Sequence, residues 1–215
     1  MSNFPVSDFA IFLQGFLLQA SLILALGAQN IFVLNSGLRR QHHLFVALVC
    51  SICDTILVFI GVLGVATVFV KFPILKLALG VVGVAFLFLY GLKKLKEAGS
   101  GEGVSFDSKS GISRKQALLA TLGFTLLNPH VYLDAVVLVG GYSSKFDALH
   151  DRFYFGTGAS VFSTIWFFGL ATLSSYGGKF LNNPKSLRKV SLVSGLILIF
   201  LAIKLGFDVM HWISA

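Results

Sequence analysis

The sequence predicts an all-α integral membrane protein: six transmembrane helices as two inverted three-helix repeats, with helices one and four interrupted. Three observations carry this expectation. The 215-residue chain is 56% hydrophobic and only 12% charged, with a mean hydropathy of +0.86. That balance belongs to polytopic membrane proteins rather than water-soluble domains. Six apolar runs, roughly 9–34, 44–70, 74–92, 117–139, 153–176 and 190–213, reach the roughly 20 residues that a bilayer requires. One connection is long, 93–115, and its Gly99-Ser100-Gly101-Glu102-Gly103 is a flexible composition. It divides a single domain, 1–215, into a first three-helix repeat (1–92) and a second (116–215).

Run one holds Gly27-Ala28-Gln29-Asn30, a small and polar interruption, before Ile31-Phe32-Val33-Leu34. Residues 1–8 contain no Lys or Arg, so the basic start of a signal peptide is missing and the run is expected to be retained. Run two carries Asp54 about 12 residues, so roughly 18 Å, from one end. Its Cys50-Ser51-Ile52-Cys53 would suggest redox or metal chemistry in a soluble protein. Inside a spanning helix, with no other cysteine in the chain, ordinary apolar packing is expected and no zinc site.

Run three offers Gly80 and Gly83, and run six Gly195 and Gly206. These suit close packing within or between chains, so a homo-oligomer is a candidate assembly. Run four is broken at Asn128-Pro129-His130, because proline cannot donate and disfavours a helical residue before it. Polar Asn128, His130, Tyr132 and Asp134 cluster there. Run five presents Phe162, Trp166, Phe167 and Phe168, an aromatic face expected to pack. Run six carries Lys204 and Asp208, whose spacing allows an i,i+4 pair.

The formal net charge is +8. The basic residues sit between apolar runs, so they report membrane topology rather than nucleic-acid binding. Connections after runs one, three and five hold twelve of them, including Arg39, Arg40, Lys93, Lys94, Arg188 and Lys189; the opposite side holds Lys71, Lys76, Lys145 and Arg152. Positive residues stay inside. The 93–115 loop is therefore expected to be cytoplasmic and both termini outside. A first segment that enters without spanning would instead leave five spans and an inside N-terminus.

Broken backbone at membrane depth is tolerated only against protein or a water-filled cavity. Gly/Pro interruptions at corresponding places in two halves point to a midplane transport site, and intramembrane carboxylates point to function. The candidates follow. Gly27, Ala28 and Pro129 make the breaks. Gln29, Asn30, Asp54, Asn128, His130, Tyr132 and Asp134 are expected to bind substrate. Asp54, Asp134 and Lys204 are expected to couple an ion, Lys204 either as a counter-ion to one aspartate or snorkelling to the outer interface. Freed N–H groups near Asn30 and Asn128 suit a carboxylate ligand. His130 is a proton relay or a hydrogen-bonded structural residue. There is no Gly-x-x-x-x-Gly-Lys-Ser/Thr phosphate loop, so transport is not ATP-driven by this chain. Neither metal, cofactor nor enzymatic activity is expected.

Four stretches resemble the LysE/ArgO-type family of basic amino acid exporters. They are Gly27-Ala28-Gln29-Asn30 with Gly37-Leu38-Arg39-Arg40; the run from Asn128 to Ala135; Ala202-Ile203-Lys204-Leu205; and Asp54 after Ser51-Ile52-Cys53. One departure is Ala28, where family members often have proline. The resemblance implies a multi-pass protein of the bacterial inner membrane that exports L-lysine or L-arginine on ion gradients. The substrate's carboxylate suits the breaks and its cation suits Asp54 or Asp134. Exporting a net cation against an inside-negative potential costs about 2.3 kcal/mol per 100 mV. Exchange for an incoming proton cancels that term, so an aspartate is expected to hold either the cation or a proton while the two halves rock around it. Two rivals stand beside this: export of neutral amino acids or other small solutes, and a membrane thiol-disulfide oxidoreductase using Cys50 and Cys53.

Overall fold

Lipid offers a backbone no partners, so each apolar run closes its own hydrogen bonds as helix. The computed structural model describes residues 7–23, 27–65, 73–99, 112–180 and 184–214. Among these every regular element is helical. Run one forms α1 (Asp8–Ile23) and α2 (Ala28–Leu38). Run two forms α3 (His43–Ile60), prolonged by a π-helical turn, Gly61–Val65; its last residues lie outside the described ones. Run three is α4 (Pro73–Gly99). Run four forms α5 (Arg114–Leu126) and α6, which joins Pro129–Tyr132, a π-helical Leu133–Val139 and Gly140–Ser143. Runs five and six are α7 (Leu149–Phe180) and α8 (Pro184–Ser214).

The loop expected from residue 93 is helical as far as Gly99. Lys93, Lys94, Leu95 and Lys96 are good helix formers, and Leu95 packs against Gly195 of α8. The rest of that loop, 100–111, lies outside the described residues. It ends at Ser113, whose hydroxyl accepts from Gln116 N (3.2 Å) while Gln116 Oε1 accepts from Ser113 N (2.9 Å). This reciprocal cap starts α5.

α3, α7 and α8 are each long and apolar enough to cross a bilayer; α1–α2 and α5–α6 are so as pairs bent by 82° and 63°. The first pair advances along α7. Asp8 lies beside His150, Gly15 against Phe155, and Gln19 against Ser163. Further on, Gly37 meets Ala171 and Ser174, and Arg40 donates to the Ser175 carbonyl (3.1 Å).

Glycines set three of the closest approaches. Gly15 and Gly158 join α1 to α7, Gly61 and Gly140 join the end of α3 to α6, and Gly91 and Gly195 join α4 to α8. A Cβ at any of them would press on the facing helix, so the backbones could not come this near.

Between the breaks and the start of α5, Phe124 is fully buried. Phe32 stacks on it (4.7 Å), with Tyr90 (4.8 Å) and Phe86 (4.9 Å) edge-on. Outward, α3 exposes Leu48, Ile52 and Ile56, and α8 exposes Leu196, Phe200 and Phe207, whereas Gln19, Asn30, Asp54 and Ser163 are buried. Polar inside and apolar outside is the reverse of a soluble chain and fits a lipid surround.

Candidate transport site

Both breaks are closed the same way. At the first, Asn30 turns back from α2 and its Nδ2 donates to the Ile23 carbonyl at the end of α1 (2.7 Å). Its Oδ1 accepts from Trp166 Nε1 of α7 (3.1 Å). At the second, the Tyr132 hydroxyl turns back from α6 and donates to the Leu126 carbonyl at the end of α5 (2.9 Å). Each bond satisfies a carbonyl that the broken helix leaves without its usual partner.

The N-termini beyond the breaks differ. α6 begins with Pro129 at its first position, where a missing N–H costs nothing. Asn128 Oδ1 caps it, accepting from His130 N (3.2 Å). α2 follows Gly27, which is extended (φ −84°, ψ 170°) and supplies no side-chain cap. The first backbone bond of α2 is Ile31 N to the Gly27 carbonyl (3.1 Å). The N–H groups of Ala28, Gln29 and Asn30 precede it, at the positive end of the helix dipole.

A cavity of about 260 Å³ lies between the breaks, far beyond the roughly 15 Å³ that one water needs. It is lined by Gly27, Ala28, Gln29 and Asn30 from the first break and by Asn128, His130 and Asp134 from the second, with Asp54, Gln19 and Lys204. The two carboxylates in it are treated differently. Asp54 is 5% exposed. Its Oδ2 accepts from Gln19 Nε2 (3.1 Å) and from the Ser163 hydroxyl, and the same Gln19 Nε2 donates to Ser163 Oγ (2.9 Å). Donors of this kind are what a buried carboxylate requires. Asp134, in the first turn of the π-helical segment, is only partly buried. It makes no hydrogen bond or ion pair among the described residues.

Of the residues singled out in the sequence, Gly27, Ala28, Gln29, Asn30, Asp54, Asn128, His130, Asp134 and Lys204 meet at this cavity. Three residues differ from expectation in detail. The Tyr132 hydroxyl is held by the Leu126 carbonyl, and Tyr132 is not among the lining residues. Asp208 Oδ2 faces His130 Nε2 across the α6–α8 gap at 3.4 Å, an interhelical partner in place of the intrahelical one. Lys204 borders the cavity and makes no ion pair with Asp54 or Asp134 among the described residues.

Three contributors were not singled out. Gln19 is a lone amide in the apolar stretch from Phe16 to Ile23, a signal of the kind that marked Asp54. Trp166 reads as part of an aromatic face and does stack on Phe162 (6.4 Å), yet its N–H holds Asn30. Ser163 had no signal: serines in helices commonly bond the carbonyl one turn back, as Thr164 does to Ser160 here. Cys50 and Cys53 are free thiols; Cys50 lies in the core.

Two broken helices around a polar cavity in an apolar-surfaced bundle are features of membrane transporters. The model of the LysE type translocators matches residues 20–208. The chain belongs to the LysE translocator family, and this points to a transporter rather than an enzyme. It is similar to the putative amino-acid transporter YggA of Aeromonas salmonicida, 41% identical over 92% of this chain and 96% of that one. It is also similar to the arginine exporter protein ArgO of Yersinia enterocolitica, 40% identical over 92% and 96%, and to that of Pectobacterium carotovorum, 40% identical over 92% and 97%. No solved structure matches the chain. The family and the apolar helices make it a multi-pass inner-membrane protein.

Proposed function

We propose that the chain exports basic amino acids, L-arginine and L-lysine, across the bacterial inner membrane in exchange for protons. One observation carries this: the same cavity is lined by Asp134, a carboxylate with no ion pair among the described residues, and by Ala28 and Gln29 at the start of α2, where Gly27 supplies no side-chain cap. A basic amino acid is a cation at one end and a carboxylate at the other. The first complements Asp134, and the second complements the α2 N–H groups and dipole. Relatives named arginine exporters, 40% identical over most of their length, support the substrate class.

Alternating access follows if the halves are inverted repeats, α1–α2, α3 and α4 matching α5–α6, α7 and α8. The matched breaks favour this, each closed by a side chain reaching back across it. The glycine contacts favour it too: a two-fold exchanging the halves converts the α2–α7 contact at Gly37 into the α3–α6 contact at Gly140 and Gly61, and returns α4–α8 to itself. Because the first bent pair advances along α7, it would cross the bilayer fully. With the basic loops inside, both termini then lie outside.

The test is efflux from cells preloaded with arginine-containing and lysine-containing dipeptides, with and without the protein. Faster loss of a basic amino acid, and not of leucine or threonine, is expected. Faster loss of the neutral ones alone would overturn the reading in favour of neutral-solute export.

A further inference from the structure

The cavity holds two carboxylates, and the export reading, on which this inference rests, leaves their division of labour open. Their surroundings differ enough to assign it. Asp134 has no hydrogen bond or ion pair among the described residues, so it is free to meet a cation. Asp54 Oδ2 already holds two donors, from α1 and α7. Those donors suit a carboxylate and would oppose its protonation, unless one of them can turn into an acceptor.

Gln19 can. It is 3% exposed, its Nε2 serves Asp54 and Ser163, and its Oε1 is buried without a partner among the described residues. An orphaned buried acceptor is costly and calls for a reason. An amide has a donor end and an acceptor end of nearly the same shape. A half-turn about its last side-chain bond puts Oε1 where Nε2 stands, 3.1 Å from Asp54 Oδ2 and 2.9 Å from Ser163 Oγ.

We propose that Gln19 is the positioning residue of the coupling carboxylate, its amide donating to Asp54 when that group is charged and accepting from it when protonated. The step balances simply. A proton from outside binds Oδ2, the amide turns, the new O–H donates to Oε1, and release of the proton inside reverses the turn. Ser163 donates throughout. Gln19 lies in the first half and Ser163 in the second, so the turn changes a contact between halves that must move relative to each other. The groups facing Asp54 leave it this role. α6 presents Asp134, and His130 and Lys204 border the same cavity. Cys50 and Cys53 are on its own helix. α1 and α7 present Gln19 and Ser163 to it, Gln29 of α2 borders the cavity, and Thr125 of α5 faces Cys50; none of these titrates near neutral pH.

The test uses the full chain in liposomes loaded with arginine. Two rates are measured: arginine–arginine exchange at equal pH, and net efflux with the outside made acidic. The variant is Gln19→Met, which keeps the shape and removes both ends of the amide. Loss of a hydrogen bond to a charged group corresponds to a factor of about ten or more. The acid stimulation should fall by about that factor, with exchange lowered by a smaller one. Undiminished stimulation, or equal loss of both rates, would overturn the proposal, the second outcome marking a structural role only. Asp134→Asn should lower both rates together; selective loss of stimulation there would reverse the assignment and overturn it. A wild-type protein that exchanges arginine without acid stimulation overturns this inference and leaves the export reading standing. One that moves no basic amino acid overturns the export reading itself, and this inference with it.

Discussion

The two helix breaks are built alike and finished differently. In each, a polar side chain from the second segment reaches back to the last carbonyl of the first: Asn30 to Ile23 and Tyr132 to Leu126. Beyond the break, Asn128 caps α6, whereas Gly27 leaves α2 without a side-chain cap. The carbonyl side of a break is a folding problem, and both halves of the chain solve it internally. The N–H side is a binding opportunity, and in the first half Gly27 places no side-chain cap on it. The second half brings a carboxylate, Asp134, to the same cavity. In the proposed site these two breaks supply a positive end and a negative end.

Substitutions can break that comparison, and the largest effect is expected at the charged end. Asp134→Asn removes the partner of the substrate cation; efflux of arginine should drop by about a hundredfold or more, the scale of losing a desolvated charge pair. Normal efflux by this variant would remove Asp134 from the site. At the folding level, Asn30→Leu leaves both the Ile23 carbonyl and the Trp166 N–H without their partner. Each orphan costs about 1–3 kcal/mol, so the variant should unfold at lower temperature in detergent and yield less protein. Gly27→Ser sharpens the comparison directly. Among the described residues nothing lies within 4 Å of a Cβ at Gly27, and its backbone is open to any residue, so serine fits. Its hydroxyl would cap α2 as Asn128 caps α6, a bond of about 1 kcal/mol that a ligand would have to displace. The half-saturating arginine concentration should rise by about fivefold while thermal stability is kept or raised. The smallest effect is expected from Tyr132→Phe, about 1 kcal/mol of stability with little change in affinity; a large rise in half-saturating concentration would return Tyr132 to the binding site.

Much of this is legible in the sequence, for a reason specific to membranes. Lipid punishes every polar group and every broken backbone, so Asn128-Pro129-His130, Asp54 and Asp134 stand out against apolar runs without any knowledge of packing. The helices follow from the same rule. What stays hidden depends on direction. That Asn30, while bordering the cavity, would also reach back to Ile23 goes with the 82° bend of the α1–α2 pair. That Asp208 would meet His130 rather than Lys204 is set by how α8 lies against the second break. Ser163 is invisible because helical serines normally satisfy themselves within their own turn. The extension of α4 to Gly99, past the Lys93 at which the sequence suggests a loop, shows the converse: helix packing overrides composition at a boundary.

The central claim is that the uncapped end of α2 receives the substrate's carboxylate. The most direct measurement is competition, in wild type and Gly27→Ser, between arginine and its decarboxylated analogue, which keeps the cation and lacks the carboxylate. The substitution should weaken arginine by about fivefold and leave the analogue as it was. Equal weakening of both, or of neither, would contradict the claim and move the carboxylate elsewhere in the cavity.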